Sequence, residues 1–169
     1  MLVLVDPKDN RAVRNKDNVL AQYDLTINSK KPLESAARYL GKVYIQHNPL
    51  LENDLGAAKF LEKVTADRAR ARVVVHKIIA MGDYVWTHVN FLNLTTDDPH
   101  DTGIAGVDIF KMDAEGRLIE HWDVLQVVGG LTNAVPWFAP NVPAAKHERH
   151  VLSSEAAARG ACRTRGELT

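Results

Sequence analysis

Cysteine, net charge and long apolar runs are all scarce in this chain, and each absence excludes a class of protein. Among 169 residues Cys162 is the single cysteine, which rules out an internal disulfide and a cysteine-based metal cluster. The 21 Lys and Arg residues balance 21 Asp and Glu residues, which argues against a nucleic-acid partner. The apolar start, Leu2–Val5, is too short for a secretory signal, and no stretch approaches the roughly 18 apolar residues of a membrane span. We therefore expect a soluble, cytoplasmic protein with no membrane partner.

Length and composition predict one globular domain. Hydrophobic residues make up 46% of the chain, enough for an enclosed core and a small-ligand pocket. The composition changes after Gly129 and Gly130, where prolines and charged residues become frequent. We place the domain at residues 1–128 and a C-terminal extension of unknown structure at residues 129–169. Trp137 and Phe138, between two prolines, suggest that the extension docks on some surface.

The first part of the chain predicts three helices. Apolar residues recur at helical spacing from Asn10 to Asn28, and Pro32 favours a second helix from Leu33 to Tyr39. A third helix is expected after Asn53 and Asp54, either of which can cap its first turn.

The second part changes to the two-residue period of β-strands. We expect strands at residues 42–49, 72–81, 84–94, 104–112 and 117–127. Turns at Gly82 and Gly116 join neighbouring strands into hairpins. Helices followed by antiparallel hairpins predict an α+β domain rather than a parallel βαβ one.

Acidic residues and histidines stand on otherwise apolar strands, whereas phosphate-binding loops, hydrolase elbows and metalloprotease motifs are missing. By alternation, one face of the last strand carries Ile119, His121, Asp123 and Leu125. On the preceding strand, Asp108 shares a face with Phe110. A charge among apolar neighbours is costly, so each carboxylate serves either proton transfer or pairing with a neighbouring group.

Other histidines are also candidates. His47 follows the first of the expected strands, and His88 shares a strand face with Trp86. Such a histidine is either a structural hydrogen-bonding residue or part of a pocket. Because no spacing of histidines and acids matches a known metal-binding pattern, we predict no bound metal.

Three stretches resemble the SnoaL-like polyketide cyclases, most closely the branch known as predicted aldol-condensation enzymes. They are residues 44–49 (YIQHNP), 107–111 (VDIFK) and 116–126 (GRLIEHWDVLQ). The order of the predicted helices and strands also matches that of this group, and the resemblance extends from Asn18 to Gln126. This group shares a cone-shaped fold with ketosteroid isomerase and nuclear transport factor. The resemblance therefore implies a curved antiparallel sheet wrapped around N-terminal helices, with a deep pocket.

The resemblance also implies roles for individual residues. Asp108, His121 and Asp123 would point into the pocket, with Asp123 as the acid/base residue. His47 and His121 would hydrogen-bond an enolate or tune Asp123, and a neutral Asp108 would donate to the same oxygen. The expected substrate-binding walls are Tyr44, Asn48, Trp86, His88 and Phe110.

The expected function is acid/base chemistry without a cofactor, next to a carbonyl group of a small hydrophobic substrate. The reaction would be an aldol-type cyclisation, an isomerisation or a dehydration, as in a cyclase-like lyase or isomerase. Two alternatives stay open: a non-catalytic binding or dimerisation module of the same fold, and hydrolysis of an epoxide.

The resemblance further implies a homodimer formed through the outer face of the sheet, where we expect Trp122. Asn48 matches the general-base Asp of ketosteroid isomerase only as an amide, so it cannot take a proton.

Overall fold

A computed structural model describes residues 1–128, and the statements below concern these residues. The expected extension at residues 129–169, with Trp137 and Phe138, lies outside the described residues. The elements follow in the order β1 (Leu2–Val5), α1 (Asn10–Tyr23), α2 (Pro32–Tyr39), β2 (Leu40–Gln46), α3 (Gly56–Ala66), β3 (Arg72–Met81), β4 (Tyr84–Leu92), β5 (Ile104–Met112) and β6 (Leu118–Val127). Among these residues no helix is long and apolar enough to cross a bilayer.

The six strands form one sheet in the order β1-β3-β4-β5-β6-β2. Strands β3 to β6 pair antiparallel as a meander, whereas β1 pairs parallel with β3 and β2 pairs parallel with β6. The helices pack on one side of this sheet, and the core lies between the two layers. The α+β architecture expected from the sequence is confirmed.

Helix α1 forms the layer against the inner face of the sheet. The Asp9 carboxylate caps its first turn by accepting from the backbone N–H groups of Arg11 and Ala12. The bond from Ala12 lowers the pKa of Asp9. After Tyr23 the chain continues as a π-helical turn, Asp24–Asn28, so the helical stretch has the predicted extent but changes its hydrogen bonding. The turn packs against β3.

The predicted capping of α3 is wrong. Asn53 Oδ1 accepts from the backbone N–H of Gln46, and Asp54 Oδ1 accepts from that of Tyr44, both at 2.9 Å. Helix α3 begins without a side-chain cap. Because β2 lies at the edge of the sheet, its outward N–H groups need partners, and these two side chains supply them.

A β-bulge near the start of β6 changes which side chains face the core. Lys111 lies opposite Glu120, but Met112 lies opposite Leu118, so Ile119 is an extra residue in β6. Leu118 is therefore fully buried, and Ile119 lines a groove on the other side of the sheet. The prediction that Ile119 shares a face with His121 is wrong for this reason.

Candidate functional site

A cavity of about 270 Å³ lies between the helices and the inner face of the sheet. Most of its wall is apolar, and these side chains are Ile27, Leu50, Leu51, Ala57, Phe60, Leu61, Phe91, Leu94, Phe110 and Leu125. A larger open groove of about 1030 Å³ follows the β2 edge, but none of the predicted site residues lines it. The cavity between the helices and the sheet is therefore the candidate site.

Asp108 lies at the polar end of the cavity and is almost fully buried. The Tyr23 hydroxyl donates to its Oδ2 at 2.8 Å and also lies 2.8 Å from Thr87 Oγ1. Thr87 Oγ1 is in turn 3.4 Å from the same carboxylate oxygen. Burial is the main cause that raises the pKa of Tyr23 well above its usual value, and the negative charge of Asp108 adds to it. The phenol therefore stays protonated and keeps donating to Asp108.

His121 connects Asp108 to the end of β2. Its Nε2 lies 3.2 Å from Asp108 Oδ1, and its Nδ1 lies 3.0 Å from Gln46 Nε2. Gln46 Oε1 accepts from the backbone N–H of Asn48 at 2.9 Å, which turns the amide nitrogen toward the imidazole. In the neutral ring Nδ1 then accepts from Gln46, and Nε2 carries the hydrogen that it donates to Asp108.

The same arrangement accommodates a protonated His121. Gln46 Oε1 is 3.1 Å from Nδ1, so a small rotation of the amide gives an imidazolium N–H an acceptor. The ring also stacks on Phe110, with centroids 4.7 Å apart, and more distantly on Tyr44. Stacking on aromatic rings fixes the orientation of the imidazole.

Asp123 faces the cavity and is partly buried. Both of its carboxylate oxygens accept from Asn48 Nδ2 at 2.9 Å. Asn48 Oδ1 accepts from the backbone N–H of Leu50, which fixes the orientation of the amide. One ligand atom each from Asp108, His121 and Asp123 lies within 4.8 Å of the others. A carboxylate held in place beside an imidazole and open to a cavity can accept and return a proton.

Neither the scan against protein-family models nor the search of curated proteins finds a match for this chain. Solved structures do match. A candidate polyketide cyclase from Bacillus cereus superposes with a TM-score of 0.61 at 14% identity, covering 73% of this chain and 83% of the other. TsrD from Streptomyces laurentii superposes with a TM-score of 0.54 at 18% identity, covering 74% and 93%.

A candidate ketosteroid isomerase from Kribbella flavida also superposes, with a TM-score of 0.56 at 15% identity, covering 79% of this chain and 93% of the other. The chain has the SnoaL-like, NTF2-like fold. The resemblance seen in the sequence is thus confirmed at the level of the fold, and the cavity lies inside that fold. At these identities the chemistry has to be argued from this chain's own residues.

The predicted site residues divide between the two faces of this SnoaL-like sheet. Those whose side chains line the cavity are Tyr44, Asn48, Asp108, Phe110, His121 and Asp123. Their roles in catalysis or binding stay predictions.

The prediction that His47 belongs to the pocket is wrong. Its Nε2 lies 2.9 Å from Glu120 Oε1, and its ring stacks on Trp122 with centroids 4.7 Å apart. Tyr44, Gln46 and Asn48 alternate into the cavity, so His47 points to the opposite side. Its hydrogen bond lowers the pKa of Glu120.

Trp86 and His88 are also absent from the cavity wall, contrary to prediction. In β4 the buried, inward residues are Val85, Thr87 and Val89, so Trp86 and His88 lie on the outer face of the sheet. Trp86 is 47% exposed. The ring of His88 lies 5.9 Å from that of His76, and burial lowers the pKa of both histidines.

The sequence analysis did not single out Tyr23 and Gln46, which line the cavity, or Thr87, which lies beside Asp108. Thr87 and Gln46 follow from strand alternation, since they share faces with Val85 and Tyr44. Tyr23 had a weaker signal, because a tyrosine on the apolar face of a helix is usually read as core. Its role depends on how α1 packs against the sheet, which no local pattern reports.

The register of β5 and β6 also creates a group that sequence spacing did not suggest. Asp108 lies directly opposite Asp123, and His121 is two residues before Asp123. Two carboxylates and one imidazole are groups that can serve as ligands of a divalent metal ion. The absence of a bound metal stays a prediction.

Proposed function

We propose that this protein is an enzyme that moves a proton next to a carbonyl group of a small, mostly apolar substrate. The observation that carries the proposal is the Asp123 carboxylate, which faces the cavity beside His121 and Asp108. A carboxylate that is held in place by hydrogen bonds and faces a substrate cavity can take a proton from carbon. The reaction needs no oxidant or reductant, since only a proton leaves and returns.

In the proposed reaction Asp123 removes a proton from the carbon beside the carbonyl and produces an enolate. The Tyr23 hydroxyl and the His121 Nε2–H, which contact Asp108 in the structure, are the donors that can be redirected to the enolate oxygen. In an aldol-type cyclisation the enolate carbon then attacks a second carbonyl of the same molecule. The proton on Asp123 returns to the new alkoxide, or, in an isomerisation, to another carbon.

Solvent exchange of carbon-bound protons tests this proposal before the substrate is known. The probe is 2-tetralone in deuterated buffer, and the protein variants are wild type, Asp123→Asn and Asp67→Asn. Asp67 is an exposed carboxylate at the end of α3 and serves as the matched control. We expect exchange catalysed by wild type and by Asp67→Asn, and not by Asp123→Asn.

A ligand-binding module without catalysis is the second candidate, and one observation favours it. A continuous chain of hydrogen bonds runs from Tyr23 through Asp108, His121 and Gln46 to Asn48. Such a chain is typical of a structural network. A binding module predicts that 2-tetralone binds to wild type without faster exchange. Hydrolysis of an epoxide by water activated at Asp123 uses the same carboxylate and is tested with styrene oxide on the same variants.

A second copy of the chain is the proposed partner of the outer sheet face. Large apolar side chains are exposed there, among them Ile79, Met81, Tyr84 and Trp86. An exposed apolar surface of this kind favours association, and an isologous contact between two copies covers it on both. Trp122 lies on the same face, stacked on His47.

A further inference from the structure

The charge content of the cavity selects among substrates. Its wall contains two carboxylates, Asp108 and Asp123, and one imidazole, His121. Within residues 1–128, no lysine or arginine side chain lines it. When His121 Nδ1 accepts from Gln46 the ring carries no charge, and the two carboxylates then face the cavity without a cationic side chain among the residues that line it. A carboxylate or phosphate ligand is repelled by such a site, and a cation is attracted.

The remaining wall distinguishes an organic cation from a metal ion. Five aromatic rings line the cavity, those of Tyr23, Tyr44, Phe60, Phe91 and Phe110. The volume of about 270 Å³ equals that of roughly nine liquid water molecules. A metal ion alone would leave this apolar space unfilled, whereas a hydrocarbon ligand fills it. Aromatic faces also attract ammonium groups directly.

We propose that the cavity binds a small apolar amine as its ammonium cation, with the hydrocarbon against the aromatic wall and the charge beside Asp108 and Asp123. The inference rests on the proposed function in taking this cavity as the substrate site, and it narrows the substrate to an amine-bearing carbonyl compound. Two carboxylates then have separate tasks: Asp108 balances the ammonium charge, and Asp123 stays available as the base. A reaction that installs or retains an amine must supply this substrate.

The negative charge already acts on groups across the cavity. Burial raises the pKa of Tyr44, and the charges of Asp108 and Asp123 raise it further. Both carboxylates therefore contribute to the potential at the wall on which the ligand would lie.

Three ligands of one shape test the inference: 2-aminotetralin, 2-tetralol and tetralin-2-carboxylate. Their affinities for the full chain are measured by isothermal titration calorimetry in a chelator-treated buffer at pH 7. We expect the amine to bind about tenfold more tightly than the alcohol, since a hydrogen bond to a charged group is stronger than one between neutral groups. The carboxylate should bind more weakly than either.

Two variants and a titration with Zn²⁺ test the inference further. Asp108→Asn should reduce the preference for the amine, and Asp67→Asn should retain it; the comparison of ligands on wild type stands even where Asp108→Asn fails to fold. Equal affinity for amine and alcohol, or tighter binding of the carboxylate, would overturn the inference. So would tight binding of Zn²⁺ combined with no preference for the amine. Because binding needs no turnover, loss of ketone exchange overturns only the proposed function, and loss of amine preference only this inference.

Discussion

At the scale of single residues, Tyr23 connects the helical layer to the buried carboxylate of Asp108. Replacing Tyr23 by Phe keeps the ring but removes the hydroxyl that donates to Asp108. We expect a loss of about 1–3 kcal/mol in the free energy of unfolding, because a buried acceptor loses a hydrogen bond. Urea denaturation measures it, with Tyr39→Phe as the control, since Tyr39 lies outside this network. Equal stability of Tyr23→Phe and wild type would contradict the assigned role.

The two buried phenols predict a loss of stability at alkaline pH. Burial raises the pKa of Tyr23 and of Tyr44 in the folded chain. Unfolded tyrosines ionise near pH 10, so the folded chain binds more protons above that pH. The stabilising contribution is thus complete below about pH 10 and declines as the pH rises further.

Tyrosinate absorbance at 295 nm and circular dichroism, recorded together from pH 8 to pH 12, measure this effect. We expect the absorbance of these two phenols to rise only as the chain unfolds. In Tyr44→Phe the rise in absorbance on unfolding should be smaller by the contribution of one phenol. Ionisation of both phenols in the folded state would show that they are accessible to hydroxide, contrary to their burial.

Residue types and alternation predicted much of the site but not all of it. His121, Asp123 and Asp108 lie on the inner face as expected from the two-residue period. His47 does not lie on the inner face, and counting by two from Tyr44 predicts this outward position. The resemblance to a family led to the prediction that His47 lies in the pocket, whereas strand alternation predicts its position correctly.

At the scale of elements, the end of β2 is held by the loop that follows it. The side-chain oxygens of Asn53 and Asp54 accept from the backbone N–H groups of Gln46 and Tyr44. Asn53→Ala should destabilise the protein by about 1 kcal/mol, by removing one such bond. More specifically, the amide proton of Gln46 should exchange faster with solvent.

Hydrogen exchange followed by NMR separates this local effect from global unfolding. The amide of Tyr44, held by Asp54, is the internal control and should keep its wild-type exchange rate in Asn53→Ala. Equal acceleration of both amides would mean that the variant loosens the whole strand, and that Asn53 has no specific role.

The sequence predicted the long strands well because their periodicity is local. Strands β3 and β5 have the predicted bounds. Strand β1 was not predicted, because its short apolar run pairs with residues more than seventy positions away. The bulge at Ile119 was also missed, since it arises from pairing with β5 rather than from a sequence pattern.

At the scale of the whole molecule, the apolar outer face predicts a dimer. Trp86→Asp places a charge in the proposed interface and should shift the protein from dimer to monomer. Leu50→Asp, an exposed apolar residue away from that face, should leave the dimer intact. Size-exclusion chromatography with light scattering measures the mass. A monomeric wild type, or a dimer that survives Trp86→Asp, would contradict the proposal.

The fold could be recognised from sequence because the order of elements and three short stretches sufficed. The cavity could not, since its volume and charge depend on how α1, α3 and the sheet come together. Asp108 and Asp123 become neighbours only through the pairing of β5 with β6.

The central claim is that Asp123 is a base facing a substrate cavity, and deuterium exchange into 2-tetralone tests it most directly. A positioned general base contributes about a hundredfold or more to the rate of proton transfer. We predict that wild type accelerates the exchange and that Asp123→Asn reduces this acceleration by about a hundredfold, with both proteins equally folded by circular dichroism. Equal rates for wild type and Asp123→Asn would contradict the account and favour a binding protein.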